Sequence, residues 1–148
     1  KDGKKIVSLV QSMSLHENGR QSQFTEEIFL RDGFGEKRAF QVLVAEINGN
    51  VVGYALYCSG YDTARATRGI ILADLFVEQV WRRQGIGRCL IKATARACYN
   101  SGGTWMFWAV LKKNRRARKF YRTIAPELHN VLFCVSTGKN FQKLAGFS

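Results

Sequence analysis

Proline, histidine and long apolar runs are all scarce in this sequence. It contains one proline and two histidines among 148 residues, and no apolar run approaches the roughly 18 residues that a membrane-spanning helix needs. The stretch Lys1–Ser14 does not have the features of a signal peptide. These absences argue against a membrane protein and predict a cytoplasmic globular chain, folded as one domain over residues 1–148.

Metal-ligand patterns are missing as well. The four cysteines, Cys58, Cys89, Cys98 and Cys134, form no Cys-x-x-Cys pair, have apolar neighbours and lie far from both histidines in the sequence. Zinc sites usually combine such ligands at short spacing. The cysteines are therefore predicted to be reduced, buried thiols, and no metal site is expected.

Acidic residues are absent from one long block. Between Arg82 and Arg122 there are twelve lysines and arginines and no aspartate or glutamate, whereas the other 107 residues carry eleven of each sign. The net charge of +12 therefore belongs to this block. Such a block is usually a solvated basic face, and the more specific alternatives are nucleic acid or a polyanionic small molecule as partner.

The first part of the chain predicts two helices followed by an antiparallel hairpin. Helical spacing of apolar residues, with Thr25 as an N-cap and a break at residues 32–35, gives the helices, and Asn48-Gly49 is the preferred hairpin turn. The expected elements are helices over Lys4–His16 and Phe24–Arg31, strands over Gln41–Ile47 and Val51–Cys58, and a loop over Ser59–Arg68.

The centre of the chain joins a buried strand, Ile70–Val77, to a helix through a glycine-bearing turn. The helix opens at Gly85-Ile86-Gly87, and its predicted buried face is Ile86, Cys89, Leu90, Ala93 and Ala97. Such a turn presents unpaired N–H groups and the positive end of the helix dipole to an approaching phosphate. We interpret it as an anion-binding loop, although an ordinary strand-to-helix turn is the commoner meaning of so short a motif.

Two other phosphate-binding motifs are disfavoured at this turn. A dinucleotide fingerprint needs a third glycine at the position of Leu90, and a Walker loop needs a Gly-Lys-Ser/Thr ending that the sequence lacks.

Beyond the helix, a right-handed crossover predicts a parallel strand. The remaining expected elements are that strand, Thr104–Leu111, a helix capped by Asn114 and ended by Pro126, a last strand over Val131–Val135 and a helical turn over Phe141–Ala145.

The pattern resembles the GNAT acetyltransferases, which bind acetyl-coenzyme A. The turn Arg82-Arg83-Gln84-Gly85-Ile86-Gly87 is similar to the pyrophosphate loop of that family, and Asn114 followed by Phe120-Tyr121 also matches. Within the family the chain resembles the diamine acetyltransferases, the spermidine/spermine and thialysine group, at residues 32–36 (DGFGE), 43–46 (LVAE) and 74–77 (DLFV). The resemblance implies an α/β fold, the GNAT acyl-CoA N-acyltransferase fold, with a mixed twisted sheet and helices on both faces.

The resemblance also implies a cofactor site and a reaction. Acetyl-coenzyme A would lie between the two parallel strands, on Leu75, Phe76, Val77, Arg82, Arg83, Gln84, Gly85, Ile86, Gly87, Arg88, Asn114 and Ala117. Tyr121 would protonate the leaving thiolate, and a backbone N–H near Leu75 or Val77 would stabilise the oxyanion. Without the family pattern, Tyr121 would be interpreted as a core aromatic residue.

On the acceptor side, Glu17, Asp62 and Asp74 match acidic positions of the family's polyamine channel, and Trp108 is a further candidate. Asp74 is also a catalytic candidate, because the amine must lose a proton before it attacks. Each acid could equally be a surface or turn residue. The expected reaction is direct acetyl transfer to a primary amine of a polyamine or thialysine-like molecule, in a homodimer with Val131–Val135 near the interface.

Several positions depart from the family pattern. Ala73 replaces a glutamate that helps to deprotonate the amine, Ala64 replaces an aromatic residue, and Lys112 and Arg115 replace acids near the site. These changes remove negative charge and weaken the polyamine assignment without affecting acetyl transfer. The family also has a strand before its first helix, so a segment preceding this sequence is one explanation for a chain that starts at the helix.

Three alternatives stay open. The same fold could acetylate a protein N-terminus or lysine, an aminoglycoside or an amino acid. A nucleic-acid-binding module would use the basic block with Trp105, Phe107 and Trp108 as stacking groups, but these aromatics lie in an apolar strand that should be buried. An inactive cofactor-binding protein would explain Ala73.

Overall fold

The computed structural model describes residues 2–147, apart from the side chain of Asn18. The chain divides into two compact units, the first ending at Ala109 and the second beginning at Val110. The prediction that residues 1–148 form a single domain stays a prediction.

Among residues 2–147, the first unit contains three α-helices, one 3₁₀ turn and four strands, and the second contains two short α-helices. The first unit comprises α1 (Gly3–Asn18), α2 (Glu26–Phe34), β1 (Gln41–Ile47), β2 (Asn50–Asp62), β3 (Thr67–Val77), a 3₁₀ turn (Gln79–Trp81), α3 (Ile86–Asn100) and β4 (Gly103–Phe107). The second unit comprises α4 (Arg115–Tyr121) and α5 (Gly138–Leu144). Thr25 caps α2 as predicted, with its side chain accepting from the N–H of Ile28 at 3.2 Å.

The strands form a mixed sheet in the order β1-β2-β3-β4. The β1–β2 and β2–β3 pairs are antiparallel, and β3–β4 is parallel. Asn48 and Gly49 both have positive φ, as expected for a tight hairpin turn. The sheet thus has the predicted order of pairing, antiparallel first and parallel after the α3 crossover.

Helices cover both faces of the sheet. Leu56 belongs to the main core with Ile6 and Leu9 of α1 and Phe29 of α2. Its neighbour Tyr57 points to the opposite face, because successive side chains of a strand alternate. That face packs against α3, which contacts β2 and β3.

A β-bulge in β3 changes which side chains face α1. Leu56 pairs with Asp74, whereas Tyr57 pairs with Leu72, so Ala73 is an extra residue in β3. Directly paired residues share a face of the sheet. Asp74 and Leu72 therefore lie on opposite faces although they are two residues apart, and Asp74 faces the α1 side.

Several predicted boundaries were wrong. The expected loop over Ser59–Arg68 is mostly strand, because β2 runs to Asp62 and β3 starts at Thr67. The second helix was predicted to end before the break at residues 32–35, but α2 continues to Phe34. The strand expected over Thr104–Leu111 ends at Phe107, and the helix expected to reach Pro126 ends at Tyr121.

The last predicted strand is absent from the described chain. Residues 131–137 have no helix or strand assignment, and Val131, Leu132, Phe133 and Val135 are all exposed. A strand requires a neighbouring edge to pair with, and no segment of the described residues pairs with this one. The helical turn predicted for the C-terminal region is present as α5.

The predicted buried face of α3 was also partly wrong. The helix buries Leu90, Ile91, Thr94 and Cys98, while Cys89 and Ala93 are exposed. Thr94 can be buried because its hydroxyl donates to the carbonyl of Leu90 at 2.9 Å. The four cysteines are free thiols, but Cys89 and Cys134 are exposed rather than buried.

Candidate active site

The carboxyl end of β3 has an open edge. Strands β3 and β4 pair only from Arg68 to Ile71, and β4 ends at Phe107, the partner of Ile71. Leu75, Phe76 and Val77 therefore pair with β2 on one side and have no β4 partner on the other. Backbone groups on this edge are available to a ligand.

The turn after β3 has the features of an anion-binding loop. Arg83 and Gly85 both have left-handed backbone angles, with φ of 65° and 82°. A non-glycine residue in this region is uncommon and is often found at functional sites. The N–H of Cys89 donates to the carbonyl of Gly85 at 3.0 Å, which closes the first turn of α3. The N–H groups ahead of it lack acceptors within the helix.

Open space surrounds the glycine at the start of α3. A methyl group built on Gly85 would meet no atom within 4 Å. The turn is therefore accessible to a phosphate, and the missing side chain leaves room for close approach to the backbone.

Arg82 ties the loop to the strand. Its Nε donates to the carbonyl of Val77 at 2.8 Å, and its guanidinium lies over the ring of Phe76, 5.4 Å from the centroid. A buried aromatic ring thus supports the base of the loop. Arg83, Gln84 and Arg88 are exposed.

Asp74 is mostly buried and directly precedes Leu75, which lies on the open edge of β3. The hydroxyl of Tyr54, which is completely buried, donates to Oδ2 of Asp74 at 3.4 Å. Glu17, at the end of α1, is near enough to interact electrostatically with both residues. The α1 face therefore holds a hydrogen-bonded Tyr54–Asp74 pair with a second carboxylate, Glu17, within electrostatic range.

Burial controls the ionisation of this cluster. It raises the pKa of Asp74, and the nearby Glu17 carboxylate raises that pKa further, while the hydrogen bond from Tyr54 lowers it. Burial and the Asp74 charge also raise the pKa of Tyr54 and that of the Cys58 thiol. Asp74 is thus a proton acceptor whose affinity for a proton is higher than usual.

A cavity of about 270 Å³ borders Phe76, whose ring packs against Tyr54. It is lined by Ser12, His16, Phe76, Glu78, Gln79 and Arg82. The Glu78 carboxylate accepts from Nζ of Lys5 at 2.6 Å. Glu78 carried no predicted role, and the structure gives it an ion pair with α1.

Asp62 does not join the other two predicted acids. It ends β2 and pairs with Arg65, accepting from its side chain at 2.6 Å and its N–H at 3.1 Å. Arg65 lowers the pKa of Asp62. In the β2–β3 register, Asp62 lies opposite Thr67. Thr67 precedes Asp74 by seven positions in β3, so the two acids are separated by roughly 23 Å along the strand.

The other predicted residues lie near the boundary of the units or beyond it. Trp108 follows β4 in the first unit and is half-buried. Asn114 and Ala117 form the predicted cap of α4 in the second unit, where the Asn114 side chain accepts from the N–H of Ala117 at 3.1 Å. Tyr121 is the last residue of α4 and is half-buried.

Tyr54 is the member of the cluster that sequence reasoning missed. It stands in the apolar strand β2, where a tyrosine is expected as a core residue. Its partner can be found only from the register of β2 against the bulged β3.

Within residues 2–147, no helix combines the length and apolar composition needed to cross a membrane. The same residues contain no group of three or more histidine, cysteine or acidic side chains placed to hold a metal ion.

The fold and the loop define the class of this protein. Residues 8–124 match the acetyltransferase (GNAT) family, and the chain belongs to that family of N-acetyltransferases. GNAT acetyltransferases generally use acetyl-coenzyme A.

Among individual relatives, the chain is 34% identical over 131 residues to thialysine N-epsilon-acetyltransferase of Bos taurus, covering 82% of this chain and 76% of that protein. It is 27% identical over 128 residues to spermidine/spermine N(1)-acetyltransferase-like protein 1 of Homo sapiens, covering 81% of this chain and 18% of that protein. These matches confirm the predicted resemblance to the diamine acetyltransferase group.

A solved structure confirms the fold. An integron cassette protein from the mobile metagenome of V. cholerae superposes with a TM-score of 0.81 at 23% identity, covering 95% of this chain and 89% of that one. The GNAT fold predicted from the sequence is therefore correct.

Proposed function

We propose that this enzyme transfers the acetyl group of acetyl-coenzyme A to a primary amine of a small polyamine or thialysine-like molecule. The observation that carries this proposal is the mostly buried Asp74 carboxylate, which accepts from the Tyr54 hydroxyl and lies within electrostatic range of Glu17 on the α1 face. A cationic amine neutralises two neighbouring carboxylates, which otherwise repel each other.

The residues after β3 fit the anionic part of acetyl-coenzyme A. The left-handed turn at Arg83 and Gly85 presents backbone N–H groups, and the space at Gly85 admits a phosphate. The cofactor-binding residues proposed here are Leu75, Phe76, Val77, Arg82, Arg83, Gln84, Gly85, Ile86, Gly87, Arg88, Asn114 and Ala117. Acetyl-coenzyme A supplies the activated acetyl thioester.

The protein has three tasks in this reaction. Asp74, directly or through water, accepts a proton from the acceptor ammonium, whose unperturbed pKa is about 10. The neutral amine attacks the carbonyl carbon, and a backbone N–H on the open edge near Leu75 or Val77 stabilises the oxyanion. The C–S bond then breaks as Tyr121 donates a proton to the departing thiolate, and the second proton of the attacking nitrogen, lost as the amide forms, restores the Tyr121 hydroxyl.

The role of Tyr121 predicts a specific kinetic defect. Tyr121→Phe should lower kcat by about 10²-fold or more, because the thiolate leaves without an acid. The Kd for acetyl-coenzyme A should change little. Phe120→Leu, which removes the neighbouring aromatic ring and no acid, is the control. Unchanged turnover in Tyr121→Phe would remove Tyr121 from the mechanism.

The acceptor can be identified by release of free coenzyme A thiol. Purified enzyme with acetyl-coenzyme A should turn over with thialysine, spermidine or putrescine, and Asp74→Asn should abolish that turnover. An aminoglycoside, free lysine and a lysine-rich peptide complete the panel. Turnover confined to one of these three would replace the proposed acceptor.

We further propose that the enzyme works as a homodimer in which the apolar segment 131–135 takes part in the interface. Leu132 and Val135 are 87% and 84% exposed. Burying such side chains against a second copy would remove apolar surface from water.

A further inference from the structure

Tyr54 has a polar contact that its position in the core does not require. The residue is completely buried in the middle of β2, and its ring packs against Phe76 with centroids 6.4 Å apart. A phenylalanine would satisfy that packing equally well. The hydroxyl instead reaches Asp74 Oδ2 at 3.4 Å and Met13 Sδ at 3.5 Å.

The carboxylate is the better acceptor of the two. A tyrosine hydroxyl has one proton to donate, thioether sulfur accepts weakly, and bonds to charged acceptors are about twice as strong as neutral ones. The proton therefore points to Asp74. Among the described residues, no other side chain donates a hydrogen bond to this carboxylate.

The geometry points to Tyr54 as a positioning residue of the acceptor site. We propose that its hydroxyl holds Oδ2 of Asp74 and leaves Oδ1 to the acceptor amine or its water. This inference rests on the proposed function, since it assigns the orientation of the group that receives the amine's proton.

The bulge at Ala73 determines which groups surround the Asp74 carboxylate. It places Asp74 on the α1 face, directly opposite Leu56 and diagonal to Tyr54 and Cys58, instead of on the α3 face. The titratable groups facing Asp74 are Glu17 from α1 and Tyr54 and Cys58 from β2, with His16 in the cavity that borders Phe76. Of these, Glu17 repels the ionised form of Asp74 and only Tyr54 donates to it, so the hydroxyl opposes the effects of burial and of Glu17.

The test compares Tyr54→Phe with Tyr57→Phe in the full chain. Tyr57 is also buried in β2 but faces α3, so this control loses the same hydroxyl without touching Asp74. In Tyr54→Phe the acid limb of the kcat/KM profile for thialysine should move to higher pH. On that limb kcat/KM should fall about tenfold, equivalent to about 1.4 kcal/mol, with little change on the alkaline side. The profile of Tyr57→Phe should overlay the wild type.

A second readout does not need activity. The carboxyl ¹³C resonance of Asp74, assigned by its loss in Asp74→Asn, should titrate at higher pH in Tyr54→Phe than in the wild type or in Tyr57→Phe. An unchanged titration would overturn the positioning role even in an active enzyme. A shifted titration in a protein that acetylates no amine would keep the Tyr54–Asp74 pair and reject the proposed function.

Discussion

Burial of Asp74 lowers the stability of the protein when its carboxylate is ionised, which is the form that the proposed mechanism requires. The folded-state pKa of Asp74 is raised, chiefly by burial, so the folded protein binds this proton more tightly than the unfolded chain does. Between the unfolded and folded pKa values the folded state holds more protons, and stability falls as pH rises. Above the folded pKa the full cost of burying the charge is present.

Asp74→Asn should therefore raise Tm at neutral pH by a few degrees, roughly 2–4 °C if the gain is about 1 kcal/mol. The gain should disappear as pH falls toward about 4, where the unfolded aspartate is protonated. Thermal unfolding followed by circular dichroism at several pH values measures both.

Asp62→Asn is the matched control for that experiment. Arg65 lowers the pKa of Asp62, so the ionised Asp62 carboxylate stabilises the folded protein, whereas the ionised Asp74 carboxylate destabilises it. The stabilisation by Asp62 is lost as pH falls through its folded-state pKa. If both variants changed Tm in the same direction at neutral pH, the burial argument for Asp74 would be wrong.

At this scale the sequence named candidate site residues whose roles stay predictions, and it missed one residue that the structure places beside them. The family pattern pointed to Asp74, and the acid Glu17 is indeed near it. Tyr54 could not be found, because a tyrosine in an apolar strand has no periodic signal that separates a core residue from a hydrogen-bond donor. Asp62 matched the same pattern, yet its Arg65 partner lies three residues away in a tight turn.

At the scale of elements, the turn from β3 to α3 is where backbone conformation matters most. Gly85 has φ of 82° and open space around it. Alanine there should cost about 1–2 kcal/mol of stability through its left-handed conformation. It should also raise the KM for acetyl-coenzyme A about tenfold, since a methyl group now stands where the phosphate approaches.

Gly49→Ala separates the two effects. Gly49 has φ of 78° in the β1–β2 turn and likewise no atom within 4 Å of an added methyl group. The two variants should lose similar stability in urea unfolding, and only Gly85→Ala should bind acetyl-coenzyme A more weakly. Equal KM values in both variants would mean that this turn does not hold the cofactor.

The elements themselves were predictable where a pattern was regular. The Asn48-Gly49 hairpin and the crossover from β3 through α3 to β4 follow from turn chemistry and handedness. The extension of β2 to Asp62 was missed, because its half-exposed end carries the polar residues that also mark loops. The buried face of α3 was misassigned because it contains Thr94 and Cys98 instead of the predicted Cys89 and Ala93.

At the scale of the whole molecule, the basic block is only partly neutralised. Arg118 and Arg122 both donate to Glu127, at 2.8 and 3.1 Å, and hold its pKa down to about 2. The other basic residues of α4 and the turn before it, Lys112, Lys113, Arg115, Arg116 and Lys119, are exposed. Such a surface attracts anionic ligands in a salt-dependent way, which suits a cofactor that carries several phosphates.

A strand was predicted over residues 131–135 because of their composition, and the structure has no strand at these positions. Their uninterrupted apolar run and two valines give them the composition of a strand, but strand formation depends on a partner edge that composition does not specify. In the proposed dimer a second copy of the chain would provide apolar contacts to the exposed side chains of Leu132 and Val135.

If the proposed dimer forms through segment 131–135, Leu132→Lys should convert it to monomers at micromolar concentration, because the variant places a charge in an interface that excludes water. Sedimentation equilibrium measures this directly. Leu30→Lys is the control, since Leu30 is also an exposed leucine but lies on α2 in the first unit. A wild type that sediments as a monomer, or a Leu132→Lys variant that remains dimeric, would show that segment 131–135 does not hold two copies together.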